Sequence, residues 1–68
     1  MTPFAVVEIP LRQHTIFVRV ARDSYGMHRA EWTMGGLTYE ATDVTRGLVL
    51  NVARNRMRRI DAYARGAA

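Results

Sequence analysis

From Thr15 to Thr42 the chain alternates apolar and polar residues between its turns, and beyond Thr42 the apolar positions recur at helical spacing. The alternation is clearest around the double glycine of "HRAEWTMGGLTYEAT", residues 28–42. A two-residue hairpin loop at Gly35-Gly36, where glycine alone adopts positive φ at both positions without cost, sets Met34 against Leu37, Trp32 against Tyr39 and Ala30 against Ala41. All three pairs are apolar, whereas the intervening pairs, Thr33 with Thr38 and Glu31 with Glu40, are polar. One face of this hairpin is therefore expected to be core and the other wet.

The segment "TIFVRVARD" carries Ile16, Val18 and Val20 on one side and Phe17, Arg19 and Ala21 on the other. A three-residue loop Ser24-Tyr25-Gly26, with Gly26 left-handed, opposes Asp23 to Met27. That register places Val20 by Ala30, Val18 by Trp32 and Ile16 by Met34, and puts Arg19 beside the Glu31–Glu40 neighbours. A four-residue loop would set Val20 against Arg29 and break the pattern. In "PFAVVEIPL", Ala5, Val7, Ile9 and Leu11 share a face, and a tight turn at Arg12-Gln13 aligns Ile9 with Ile16 and Val7 with Val18. Pro10 lacks a ladder donor, which suits an edge strand.

Thr42 is a candidate helix cap, Asp43 a first-turn acid and Gly66 a stop. Val49, Ala53, Met57, Ile60 and Ala64 form the stripe expected to cover the sheet. A second stripe, Val44, Leu48, Val52 and Tyr63, is interrupted by Arg56 and Arg59, while Arg54, Arg58, Asp61 and Arg65 occupy the remaining face, where Asp61 can pair with Arg58 and Arg65. The predicted fold is α+β: an antiparallel four-stranded meander (strands about 4–10, 15–23, 27–34 and 37–42) with one long C-terminal helix (about 43–65) packed on one face. Residues 1–68 are expected to form one domain.

Composition narrows the chemistry. Cysteine is absent, which removes disulfides and thiolate metal sites. No apolar run is long enough to span a bilayer, and Met1 to Ile9 lacks the basic start and cleavage site of a signal peptide, so a cytoplasmic protein is expected. The formal charge is +4, and every basic residue is arginine. Arginine suits bidentate contacts to phosphate or carboxylate; GC-rich coding produces the same bias. Either way the charge favours acidic partners.

Catalytic sets are not visible. Ser24, the only serine, falls in a hairpin loop beside no base, and His14 and His28 stand at no metal-ligand spacing. Glu31 and Glu40 are neighbours on an open face beside Arg19, an arrangement for ion pairing. The double glycine joins two strands, whereas phosphate-binding loops precede a helix. A noncatalytic protein without cofactor or metal is expected.

Binding surfaces are more informative. Phe17, Arg19 and Arg29 lie on the wet sheet face with Phe4, Val6 and Glu8 at its edge, and an exposed aromatic beside arginines suits a protein interface or stacked bases. Glu8, Glu31 and Glu40 share that face and would repel a phosphate backbone. Arg54, Arg58 and Arg65 form a basic helix stripe that suits phosphates, an acidic protein groove or plain solvent. Leu48, Val52 and Tyr63 are candidate homodimer contacts, and homodimerisation through the helix and an edge strand is expected.

The run "FVRVARDSYGMHRAEW…GGLTYEAT" followed by "ARNRMRR" resembles the sheet and last helix of a double-stranded-RNA-binding domain. It departs from that family by lacking the first helix and the lysine-rich phosphate-gripping motif, in whose place stands Asp43-Val44-Thr45-Arg46. Over residues 14–65 the layout is also similar to very small phage-encoded anti-CRISPR proteins, several of which are three or four strands plus a helix. That resemblance carries no diagnostic motif and implies no particular site residue. It implies an inhibitor that occupies the surface of a larger protein or nucleoprotein; the alternative is a nucleic-acid-binding module using the helix arginines and Phe17.

Overall fold

The computed structural model describes residues 4–64 and 66. Four strands, β1 (Phe4–Pro10), β2 (Thr15–Arg22), β3 (His28–Met34) and β4 (Leu37–Asp43), form one antiparallel sheet in the order β1-β2-β3-β4, followed by helix α1 (Arg46–Ala64). This is the expected ββββα meander of the α+β class.

The registers of the second and third hairpins follow from local turn chemistry. Gly35 and Gly36 adopt φ of 57° and 80°, and β3 pairs with β4 through Met34–Leu37, Trp32–Tyr39 and Ala30–Ala41. The second turn closes with the Asp23 N–H donating to the Met27 carbonyl at 2.9 Å and Gly26 at φ 82°. Its Asp23 carboxylate also accepts the N–H groups of Tyr25 and Met27, which accounts for the choice of aspartate there. The β2–β3 ladder runs from Arg19–Glu31 to Arg22–His28 in the expected register, and the anticipated Val18–Trp32 and Ile16–Met34 pairs lie beyond its paired residues. In the first hairpin the Leu11 N–H donates to the His14 carbonyl at 2.8 Å, and Ile9 meets Ile16 and Val7 meets Val18 as expected.

Strand and helix ends differ from expectation by a few residues. Asp23 and Met27 belong to the turn rather than to β2 and β3. The larger correction is at the helix start. Thr42 and Asp43 are held in the sheet by pairing with Arg29 and His28, so neither caps nor enters the helix. Thr45 caps it instead: its Oγ1 accepts the Leu48 N–H at 3.1 Å and its carbonyl accepts the Val49 N–H at 3.1 Å. At the other end the Gly66 N–H donates to the Tyr63 carbonyl, so Gly66 is the stop that was expected.

The core lies between the helix and one sheet face: Ile9, Ile16, Val18, Val20, Ala30, Trp32, Met34 and Ala41 from the strands, and Val49, Ala53 and Met57 from α1. Trp32 and Tyr39 stack with ring centroids 5.9 Å apart. The Trp32 indole N–H is buried without a hydrogen-bond partner among the described residues, a cost of about 1–3 kcal/mol set against the area its ring removes from water. Along the helix stripe Ile60 is half-buried and Leu50 joins it, whereas Ala64 is exposed because the last turn runs past the packed core. The helix packs mainly on β3 and β4, which leaves the core-side residues Ala5 and Val7 of β1 only half-buried.

Candidate binding surfaces

The helix covers one sheet face, and the alternation of the strands consigns Phe4, Val6, Glu8, Phe17, Arg19, Arg29, Glu31, Thr33, Thr38 and Glu40 to the other. Phe4, Val6 and Phe17 are each more than half exposed. The register gathers them: Val6 is opposite Arg19, Phe17 is opposite Glu8, and the Arg19 guanidinium lies 4.8 Å from the centre of the Phe4 ring. The result is an apolar patch with a cation at its centre, on a backbone held rigid by the ladder.

The expected pairing of Arg19 with Glu31 is present at 4.0 Å, and Arg29 joins it, 3.9 Å from Glu31 and hydrogen-bonded to Glu40. Arg29 therefore serves the sheet, and Arg19 is the arginine displayed with the aromatics. Thr33 and Thr38 stand 3.3 Å apart across the same face.

Helix residues divide between two flanks. Arg58 lies toward β1, lining a shallow pocket with Pro10, Leu11, Arg12 and Asp61. Arg54 and Arg58 are exposed, and Asp61 is not without a partner. Arg65 lies outside the described residues. Because α1 packs on the face opposite Phe17, the arginines of the helix and the Phe17–Arg19 patch cannot meet one flat partner together.

On the β4 side, Leu48, Val52 and Tyr63 are exposed, and Val44 precedes the helix instead of extending their stripe. Arg56, which interrupts that stripe in sequence, is a packing residue: its guanidinium lies 5.5 Å from the Trp32 ring centre and donates to the Glu40 carbonyl at 2.7 Å. Helical spacing separates it from Arg54 and Arg58 but not from Arg59, which interrupts the same stripe. Tyr63 lines an apolar cleft of about 660 Å³ with Ile16, Met34, Leu37, Tyr39 and Ile60, where the last helical turns overhang the sheet.

Among the described residues no three His, Asp or Glu side chains come together to hold a metal ion, and no helix is long and apolar enough to cross a membrane. No family model, curated protein or solved structure matches the chain.

Proposed function

We propose that the chain is a noncatalytic binding protein that blocks a larger protein or nucleoprotein by occupying its surface, in the manner of a phage-type, anti-CRISPR-like inhibitor. The observation that carries this reading is the patch of Phe4, Val6 and Phe17 around Arg19. Aromatic and arginine side chains are the residues that most often anchor interfaces, and a strand backbone presents them with little ordering cost. Glu8, Glu31 and Glu40 on the same face, with Arg29 held by two of them, favour a protein surface over a phosphate backbone.

The test is expression in a host whose CRISPR immunity blocks a targeted phage. The chain is expected to restore plaquing, and Phe17→Ser and Arg19→Glu are expected to abolish the effect while leaving the fold intact. Unrestored plaquing by a soluble, folded chain rejects the anti-CRISPR reading. A second reading, nucleic-acid binding, is favoured by exposed Arg54 and Arg58 on a flank free of the sheet carboxylates. It requires affinity for DNA or RNA that falls linearly with salt on a log–log plot, with a slope of roughly one per phosphate contact.

A further inference from the structure

The two edges of the sheet are finished differently. In β1 the hydrogen-bonded Leu11–His14 pair fixes the alternation: Ile9, Val7 and Ala5 bond to β2, so the N–H and carbonyl groups of Phe4, Val6 and Glu8 point outward. Pro10 falls on the outward set, where its missing N–H costs no bond to β2. No hydrogen bond to these outward groups is found among the described residues. The same alternation counted from the Met34–Leu37 pair points Glu40 outward from β4, but there the Arg56 guanidinium caps the carbonyl at mid-strand. The helix caps one outward carbonyl at the middle of β4 and none on β1, and an uncapped edge is a template for another strand.

We propose that the open edge takes a second copy of this chain, β1 against β1, antiparallel about Val6, joining the two four-stranded sheets into one. This does not rest on the function proposed above. In this register Phe4 faces Glu8 of the other copy and Val6 faces its symmetry mate, and each pair exchanges both backbone bonds. The alternatives are poorer. A shift that sets Phe4 opposite Pro10 leaves the Phe4 carbonyl without a donor, and the next shift opposes Glu8 to Glu8.

Charge selects the same register. Glu8 is exposed and belongs to no ion pair among the described residues. Pairing about Val6 carries it to Phe4 of the other copy, over whose ring the Arg19 guanidinium already lies. Each copy thus supplies the carboxylate for the other's displayed arginine, twice by symmetry. The helices are no obstacle, because α1 rides on β3 and β4. At about 4.8 Å per strand the two helices stand roughly 25–30 Å apart, so their basic flanks are not brought into contact. The association would also merge two Phe4–Val6–Phe17 patches into one continuous surface.

The experiment is sedimentation equilibrium of the full chain from roughly 10 to 500 µM, a range that resolves a modest edge-pairing affinity. A monomer–dimer equilibrium is expected. Val6→Pro removes the central outward N–H without breaking a bond to β2, and Glu8→Arg turns the ion pair into a repulsion. Each should weaken association at least about tenfold with circular dichroism and Tm close to the parent. The chain has no cysteine, so Val6→Cys should give an oxidised covalent dimer and Thr38→Cys on the β4 edge should not. A monomer throughout the range, a dimer that survives Glu8→Arg and Val6→Pro, or cross-linking through Cys at 38 and not at 6 overturns the proposal. Should Val6→Pro unfold, Glu8→Arg and the cysteine pair decide.

Discussion

Replacing Arg56 by alanine tests whether this residue belongs to the packing or to the solvated surface. Its guanidinium lies 5.5 Å from the Trp32 ring centre and donates to the Glu40 carbonyl at 2.7 Å. The ring contact is worth about 0.5–1 kcal/mol at a partly exposed site. The charge-assisted bond to the edge carbonyl adds roughly 1 kcal/mol where solvent competes. Alanine returns only about 0.2 kcal/mol in helix propensity. The net expected loss is therefore about 1.5 kcal/mol, which in a domain of this size lowers Tm by roughly 6–12 °C. Urea unfolding followed by circular dichroism and by the fluorescence of Trp32, the only tryptophan, measures it, with the m value unchanged. Arg54→Ala, two residues away on the exposed flank, is the control and should stay within about 0.5 kcal/mol of the parent. If the two variants lose the same stability to within about 0.3 kcal/mol, Arg56 is one more solvated charge and the mid-strand cap that distinguishes β4 from β1 fails with it.

Two further substitutions probe local geometry. Thr45→Ala removes the observed cap and should cost about 1 kcal/mol, whereas Thr42→Ala, on an exposed strand position, should cost less than half of that; thermal melts of the two separate them, and the reverse order contradicts the helix start at Arg46. Gly36→Ala forces an L residue to a φ near 80° and should destabilise by about 1–2 kcal/mol in urea, although a side chain there would meet open space, so an unchanged midpoint would show that the turn is not the one described.

The sheet was legible because its determinants are short-ranged. Gly35-Gly36 and Ser24-Tyr25-Gly26 each close a turn of fixed length, and with a side-chain period of two a one-residue slip would turn Trp32 or Val20 to solvent. Turn chemistry and alternation therefore specified the β2–β3 and β3–β4 registers; at Arg12-Gln13, where the turn residues carry no such signal, the β1–β2 register rested on matching the apolar faces alone. The helix signal was less complete: threonine and aspartate at 42–43 are as good a cap as Thr45, and only the reach of β3 to His28 decides that the first pair stays in the sheet.

Lateral position was the part that only the tertiary structure decided. Period 3.6 names the buried stripe of α1, but how far the helix sits across the sheet determines what its flanks touch. Placed over β3 and β4, it turns Arg56 into a cover for Trp32 and a cap for Glu40, runs its last turn past the core to open the cleft at Tyr63, and leaves β1 half-covered with an open edge. Such facts depend on packing between elements distant in the chain, and no local pattern of residues records them.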